Sequence, residues 1–406
     1  MLRAENLSSW AKYSFSSAII VRYMFYSVLM MGLYLGTHNS FVSLGLNMYV
    51  TIIAGIFFIA DFFGHKYSGF PLPLKAQLLY ILMMAFMLLI YSPTLLMGYG
   101  AIDHGKIFLY YTFVSYAVGN FLLFFLPRNR FIFIAENSWL IFICAFISSS
   151  LVIFLFGNDL LEGYTGWENM GVNRSTIKQP LAVLFVLSLS WFIFERKLWI
   201  FLLSCVGLLL SLYGVYISSS QSLLVSVAGI LFLAFLMSFK NKIYLIKSLI
   251  LAISMGIFAI PYLIYSKSWE RLTSLIFLKD EYLLGGGYDT SRIDLIQEGL
   301  SLFRESPIFG GNIYNTQGLY CHCFPIDVLM AGGVIGAILM VIILYGCLRG
   351  AWRIYKNCDG KYYWIILLSL FLFSQGLFHG DYCTLISMQT AILLSADMIF
   401  SKDNIR

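Results

Sequence analysis

Two residues with the chemistry of group transfer stand 30 positions apart in this chain, Arg292 and His322. Arg292 closes the run Gly285-Gly286-Gly287-Tyr288-Asp289-Thr290-Ser291-Arg292, and His322 lies in Cys321-His322-Cys323-Phe324-Pro325-Ile326-Asp327. A guanidinium is a fixed fork of donors that suits a bound anion. An imidazole titrates near neutrality and can accept a proton from an attacking hydroxyl. Other readings stand beside these. Arg292 could pair with Asp289 or Glu298 on a wet surface, and His322 could be a polar residue at a membrane interface. Cys321-His322-Cys323 as a metal site is disfavoured, because neighbours in one segment rarely present three ligands to one ion and no second ligand-rich segment is found. Cys321 or Cys323 could pair with Cys383 in an oxidising compartment, which spacing leaves open.

The elements that must position these residues can be read next. Ile293, Ile296, Leu300 and Phe303 recur at spacings of 3, 4 and 3, the signature of one helix face. Ser291 with Asp294 resembles a capping box, Pro307 stops the helix, and Gly310-Gly311 makes a turn. Arg292 then sits on the first turn, at the positive end of the helix dipole, where a cation is locally unfavourable. An anion bound there would remove the penalty, since free backbone N–H groups point at it. Beyond His322, Gly332, Gly333 and Gly336 permit close packing of the following helix.

The surroundings are apolar. The chain has 406 residues, 60% hydrophobic and only 11% charged, with a mean hydropathy of +0.83. Soluble domains carry about a quarter charged residues, so this composition predicts an all-α integral membrane protein. Long uncharged runs predict twelve spans, at 18–35, 44–63, 76–96, 107–126, 138–156, 177–194, 198–217, 222–239, 249–265, 326–348, 363–378 and 384–400. Seventeen of the 26 basic residues fall on one side of this arrangement, eight on the other, and Arg22 inside the first span. The positive-inside rule makes the richer side, with both termini, cytoplasmic. The net charge of +6 is therefore a topology signal, not a nucleic-acid footprint. No cleavable signal sequence is expected, because Arg22 interrupts the first apolar run. Residues 1–406 read as a single polytopic membrane domain, and residues 266–321 as a long loop on the non-cytoplasmic face between spans nine and ten. Cys144, Cys205 and Cys347 lie in apolar runs and read as packing residues.

Three segments give the chain a resemblance to the O-antigen ligase and O-antigen polymerase superfamily. They are Ser291-Arg292 through Glu305-Ser306-Pro307-Ile308-Phe309-Gly310-Gly311-Asn312, His322 through Asp327, Leu329, Gly333 and Gly336, and Ser218-Ser219-Ser220-Gln221-Ser222. They are similar, in order, to that family's Ser-Arg helix with its Pro-x-x-Gly-x-Gly stretch, its His-Asn, acidic, Gly-x-x-Gly stretch, and its loop between spans seven and eight. The chain departs in three places. Many members have Ser-Arg where Gln221-Ser222 stands, the asparagine after the histidine is Cys323, and the next aromatic is Pro325.

The resemblance implies an inner-membrane glycosyltransferase of the C type, inverting and metal-independent, with no cofactor. It would move a glycan from undecaprenyl pyrophosphate to an acceptor hydroxyl on the periplasmic face, in lipopolysaccharide or polysaccharide biosynthesis. Arg292 would grip the pyrophosphate and His322 would take the acceptor proton. Arg174 would stand in for the missing second arginine. Gln221, Ser220, Tyr288 and Asn312 would contact sugar or phosphate, and Asp381 would orient the base or bind sugar, although Asp381 reads equally as a solvated loop acid. Partners would be the lipid-linked oligosaccharide, the bilayer and other assembly proteins such as a flippase and a chain-length regulator. The compact segment from Arg292 to His322 and the absent Ser-Arg favour a repeat-unit polymerase over a ligase that transfers to lipid A core. A transporter or flippase is the alternative from another class. Arg22 as the only basic residue within a span, and Asp61 at a span end, weigh against ion-coupled transport.

Overall fold

The computed structural model describes residues 138–139, 142–143, 145–147, 149–150, 153–154, 174–218, 221–265, 292–311, 321, 323–379, 393 and 396–397. Within its helices, the side chains at 174–180, 216–218, 221–225, 258–265, 292–293, 372 and 375–379 lie outside that description. Among the described residues every regular element is helical and there is no strand. In chain order these are α1 (Arg174–Phe194), α2 (Leu198–Ser218), α3 (Gln221–Ser238), α4 (Lys242–Tyr265), α5 (Arg292–Glu305), α6 (Phe324–Asn357) and α7 (Tyr363–His379). A short 3-10 turn, Gly360–Tyr362, leads into α7.

The runs expected at 177–194, 198–217, 222–239, 249–265, 326–348 and 363–378 each coincide with a helix. The ends differ in two places. α4 begins at Lys242 rather than at 249, and α6 continues to Asn357 rather than ending at 348. Hydropathy stops at the first charges, but backbone hydrogen bonding does not, and Lys and Arg are good helix formers. Arg349, Arg353 and Lys356, expected in a loop, are therefore helical. The spans expected at 18–35, 44–63, 76–96 and 107–126 lie outside the described residues, and those at 138–156 and 384–400 lie only partly within them.

α1 is the centre of the packing, in contact with α2, α3, α4 and α7. From Leu181 to Phe194 almost every side chain is buried, Ser188 and Ser190 included. A helix enclosed on all sides must be apolar on all sides, as this one is. Trp191 satisfies its buried indole N–H by donating to Ser138 Oγ at 3.1 Å. Its ring stacks on Phe142 at 4.6 Å.

The outward faces are apolar too. Leu198, Trp199, Leu202, Val206 and Leu209 on α2 are exposed, as are Ile243, Ile246, Ile250, Ile253 and Ile257 on α4 and Val334, Ile338, Val341, Tyr345 and Leu348 on α6. Spacings of three and four, from Trp199, Ile243 and Val334 onward, make each set one stripe. Contiguous apolar surface of this extent is unfavourable in water, whereas hydrocarbon covers it without penalty. α6 and the segment Leu198–Val215 of α2 are long and apolar enough to cross a membrane. α5 is the exception, with Asp294, Gln297, Ser301, Arg304 and Glu305 exposed along its outer face.

One end of the bundle is held by cations on carbonyls. Lys240 donates to the carbonyls of Tyr355 at 2.7 Å and Cys358 at 3.3 Å, and to the Tyr363 hydroxyl at 2.9 Å. Lys247 donates to the Glu195 carbonyl at 2.7 Å. Both lysines thereby satisfy carbonyls at helix C-termini, the negative ends of the dipoles. Phe194 packs edge-on against Tyr244 at 5.4 Å and Tyr363 at 5.0 Å. Nearby in the chain, Asp397, 2% exposed, accepts two bonds from Arg349 Nε at 3.0 Å and one from Nη2 at 2.7 Å. Arg353 lies 3.0 Å from the same carboxylate and also bonds the Asp397 carbonyl. Asp397 falls in the expected span 384–400, and the two arginines that pair with it lie on α6 beyond its uncharged stretch 328–348.

These contacts gather the C-terminal ends of α1, α3 and α6. The N-terminal residues of these helices are Arg174, Gln221 and Phe324.

Candidate functional site

The segment that carries Arg292 is joined to the helix that follows His322 by their backbones. α6 is not one continuous helix: Gly333 has φ 59° and ψ −157°, a conformation essentially confined to glycine, and breaks it. A broken helix leaves amides and carbonyls without intrahelical partners. Here Pro307 to Gly311, the turn after α5, supplies them. Val334 donates to the Pro307 carbonyl at 2.9 Å and Ile335 to the Ile308 carbonyl at 3.2 Å. Gly311 in turn donates to the Met330 carbonyl at 3.0 Å.

The two backbones approach too closely for side chains. A Cβ on Gly333 would meet the Ile308 carbonyl group, and a Cβ on Gly310, itself at φ 71°, would meet the backbone of Ala331. The strap also closes on itself, with Gly310 donating to the Ser306 carbonyl at 2.9 Å and Ser306 Oγ donating to the Gly310 carbonyl at 2.7 Å.

α5 spans Arg292 to Glu305, as the spacing and Pro307 predict, with Asp294 in its first turn and Arg304 in its last, both complementary to the dipole. The buried face is rotated from the expected one. Leu295 and Gly299 are buried, whereas Ile296, Leu300 and Phe303 are half-buried. The cause is Gly299, where a Cβ would collide with Cys321 Sγ and would stand 3.0 Å from Ile326. α5 and α6 are thus packed at a glycine contact as well as through the strap.

The start of α6 is fixed by Asp327, which is fully buried. Its Oδ1 accepts the Cys321 amide at 2.7 Å, and the Cys323 carbonyl accepts the amides of Ile326 and Asp327, both at 2.9 Å. The Cys321 backbone is therefore held against the first turn of α6, which has Cys323 as N-cap and Pro325 in the first turn, where its missing amide is not needed. Cys321 and Cys323 are free thiols. Burial, and then the Asp327 carboxylate, push the Cys321 thiol far above its ordinary range, and burial raises Cys323 as well.

Of the residues expected to do chemistry, Arg292 is the first residue of α5, Arg174 of α1 and Gln221 of α3. Their side chains lie outside the described residues, and so do His322, Ser220, Tyr288, Asn312 and Asp381. Cys383 and the Asp289 and Ser291 contacts proposed for the α5 terminus lie outside them too. Among the described residues no group of three or more His, Cys, Asp or Glu side chains could hold a metal ion. Asp327 is the residue whose role sequence reasoning missed. Its signal was a single carboxylate in the first turn of an otherwise apolar run.

Compared with known protein-family models and with curated proteins, the chain matches none.

Proposed function

We propose that this chain is a twelve-span enzyme of a bacterial inner membrane, with both termini cytoplasmic, that transfers a glycan from a polyprenyl-pyrophosphate carrier to an acceptor hydroxyl on the periplasmic face. Polymerisation of lipid-linked repeat units is the favoured form of that reaction. The observation that carries the proposal is the backbone union of the strap after α5 with the break in α6. It ties the element headed by Arg292 to the element entered through His322, the two residues whose chemistry suits the reaction.

A pyrophosphate leaving group needs positive charge more than it needs covalent help. In the proposed reaction Arg292, at the positive end of the α5 dipole, holds the departing phosphates. His322 takes the proton from the acceptor hydroxyl as the oxygen attacks the sugar carbon from the face opposite the leaving group. Arg174 and Gln221 are the first residues of α1 and α3, so each also stands at the positive end of a helix dipole. The similarity to the O-antigen ligase and polymerase superfamily supports the same assignment.

The test is transfer by the purified protein from a lipid-pyrophosphate oligosaccharide, in EDTA, with and without lipid A core. A ladder of products from donor alone is expected. A single product that requires lipid A core would make the chain a ligase, and no product from a competent donor would overturn the proposal. Arg292→Ala and His322→Ala, expressed at normal level, should each abolish polymer in cells, and full-length polymer from either would remove that residue from the mechanism.

A further inference from the structure

The cations at the end of the bundle where Lys240 and Lys247 bind carbonyls are not equally engaged. Lys240 donates to three acceptors, and Arg349 and Arg353 pair with Asp397. Lys361 lies over the Tyr362 ring at 4.9 Å. Lys356 is in the last turn of α6, where the negative end of the dipole accounts for it. Arg196, Lys197 and Lys242 are left. All three are exposed, and their side chains make no hydrogen bond or ion pair with described residues.

These three belong to one corner. Lys247, in the second turn of α4, reaches the Glu195 carbonyl at 2.7 Å and lies over the Phe201 ring of α2 at 5.3 Å. The charges of Glu195 and Arg196 both act on it. Tyr244 packs on Phe194 at 5.4 Å. The start of α4 is thereby held beside the turn 195–197 that leads into α2. Arg196, Lys197, Lys242 and Lys247 meet there, and two described carboxylates are near: Glu195, and Asp359 beside Gly360, which abuts Phe194 and Tyr244. Positive charge in this excess repels itself until an anion neutralises it.

The apolar surface begins where the cations end. Leu198 directly follows Lys197 and opens the 18-residue stretch Leu198–Val215 that is long and apolar enough to cross a membrane. At about 1.5 Å per residue this stretch is about 27 Å long, close to the ~30 Å of bilayer hydrocarbon. Arg196 and Lys197 therefore stand at the headgroup layer. Trp199 lies just inside it, at the level that indole rings favour. On α4 the exposed Ile243 and Ile246 follow Lys242 in the same way. A free anion would use the cations alone, whereas a phospholipid uses the cations and both apolar stripes that descend from them.

We infer that the corner formed by the turn 195–197 and the first turns of α4 binds the headgroup of an anionic glycerophospholipid, with its acyl chains along the exposed faces of α2 and α4. The inference rests on the membrane-spanning reading of α2 and not on the glycosyl-transfer reaction.

The test equilibrates the full chain, purified in detergent, with equal amounts of phosphatidylglycerol and phosphatidylcholine of the same acyl chains, and reads the retained lipid by native mass spectrometry. Phosphatidylglycerol should be retained in clear excess. Lys197→Gln and Lys242→Gln should each lower that excess about fivefold, the effect of one cation near an anionic surface. Combining both with Arg196→Gln should abolish it. Lys356→Gln, at the same end but outside the corner, should leave it unchanged. Thermal unfolding checks the fold of each variant, and the single variants carry the test should the triple one not fold. Equal retention of the two lipids would overturn the inference, as would an undiminished excess in the variants of the corner. An equal loss with Lys356→Gln would also overturn it, since attraction would then be spread over the whole cationic end. So would displacement of the lipid by soluble glycerol phosphate, which would make the occupant a free phosphate. A chain that stays soluble without detergent and retains neither lipid would instead overturn the membrane-spanning reading of α2, and the inference with it.

Discussion

Val334, the first residue after the break in α6, donates its amide to Pro307, the residue that ends α5, at 2.9 Å. Neither partner could make this bond alone. The amide is available because Gly333 interrupts the helix, and the carbonyl reaches it because Gly310 lets the strap lie flat against Ala331. The predictions below concern this joint and the groups that fix its surroundings.

Gly333→Ala should destabilise the protein and lower transfer activity. The backbone conformation alone costs a non-glycine residue about 1–3 kcal/mol, and the added methyl also meets the Ile308 carbonyl group. Gly229→Ala and Gly256→Ala, where a Cβ would have open space, should be neutral or stabilising by up to about 1 kcal/mol. Thermal unfolding in detergent compares the three, and equal midpoints for all would show that the break is not required.

Asp327→Leu should loosen the approach to α6, because the Cys321 amide loses its acceptor. Hydrogen bonds to a charged group contribute about 1.5–3 kcal/mol. Asp327→Asn keeps an acceptor oxygen and should retain most of the function. On the proposed mechanism the leucine variant misplaces His322, so kcat should fall more than KM rises. Loss of function in both variants to the same degree would mean that the charge, not the hydrogen bond, is what the site needs.

Asp397→Leu leaves two guanidinium groups facing an apolar site. Removing one partner of a buried pair costs roughly 3–5 kcal/mol, and the lower end is expected because Arg349 is 43% exposed and can turn towards water. Adding Arg349→Met should recover part of the loss. A double-mutant cycle by thermal unfolding checks this, and strict additivity would mean that the pair is not coupled.

Cys321 and Cys358 should resist alkylation by a maleimide in the folded protein and react once it is unfolded. Burial raises both thiols, Cys358 up to about 12, and only the thiolate is nucleophilic. The sign for stability follows from the same shift. The contribution of protonated Cys358 is complete below the thiol range of the unfolded chain and is lost as pH rises from there towards about 12. Labelling of intact protein at neutral pH, followed by mass spectrometry, reads the reactivity. Prompt modification of Cys358 there would contradict its burial.

Much of the local architecture was legible in the residues. Uncharged runs located α1, α2, α3 and α7 within a few residues, because a span of hydrocarbon demands an apolar stretch of a set length. The α5 helix was legible from its periodicity and from Pro307 as its end. The buried line of α5 was not. Periodicity counts apolar side chains, and the contact that orients α5 is made by a residue with no side chain, Gly299.

The sequence by itself determined that this chain is helical and apolar outside as well as inside, and it located Arg292 at the head of an amphipathic helix. These properties depend on neighbours in the chain: hydropathy, spacing, a proline. Gly310 and Gly333 were visible as glycines, but a glycine in a sequence does not say which backbone approaches it. That the strap fills the break in α6, that Asp327 turns back to the Cys321 amide, and that Arg349 and Arg353 share Asp397 were decided only by the tertiary structure. Each depends on where a distant segment delivers a donor or an acceptor, and the orphaned groups of a broken helix or a buried carboxylate then select that partner because no water competes for it.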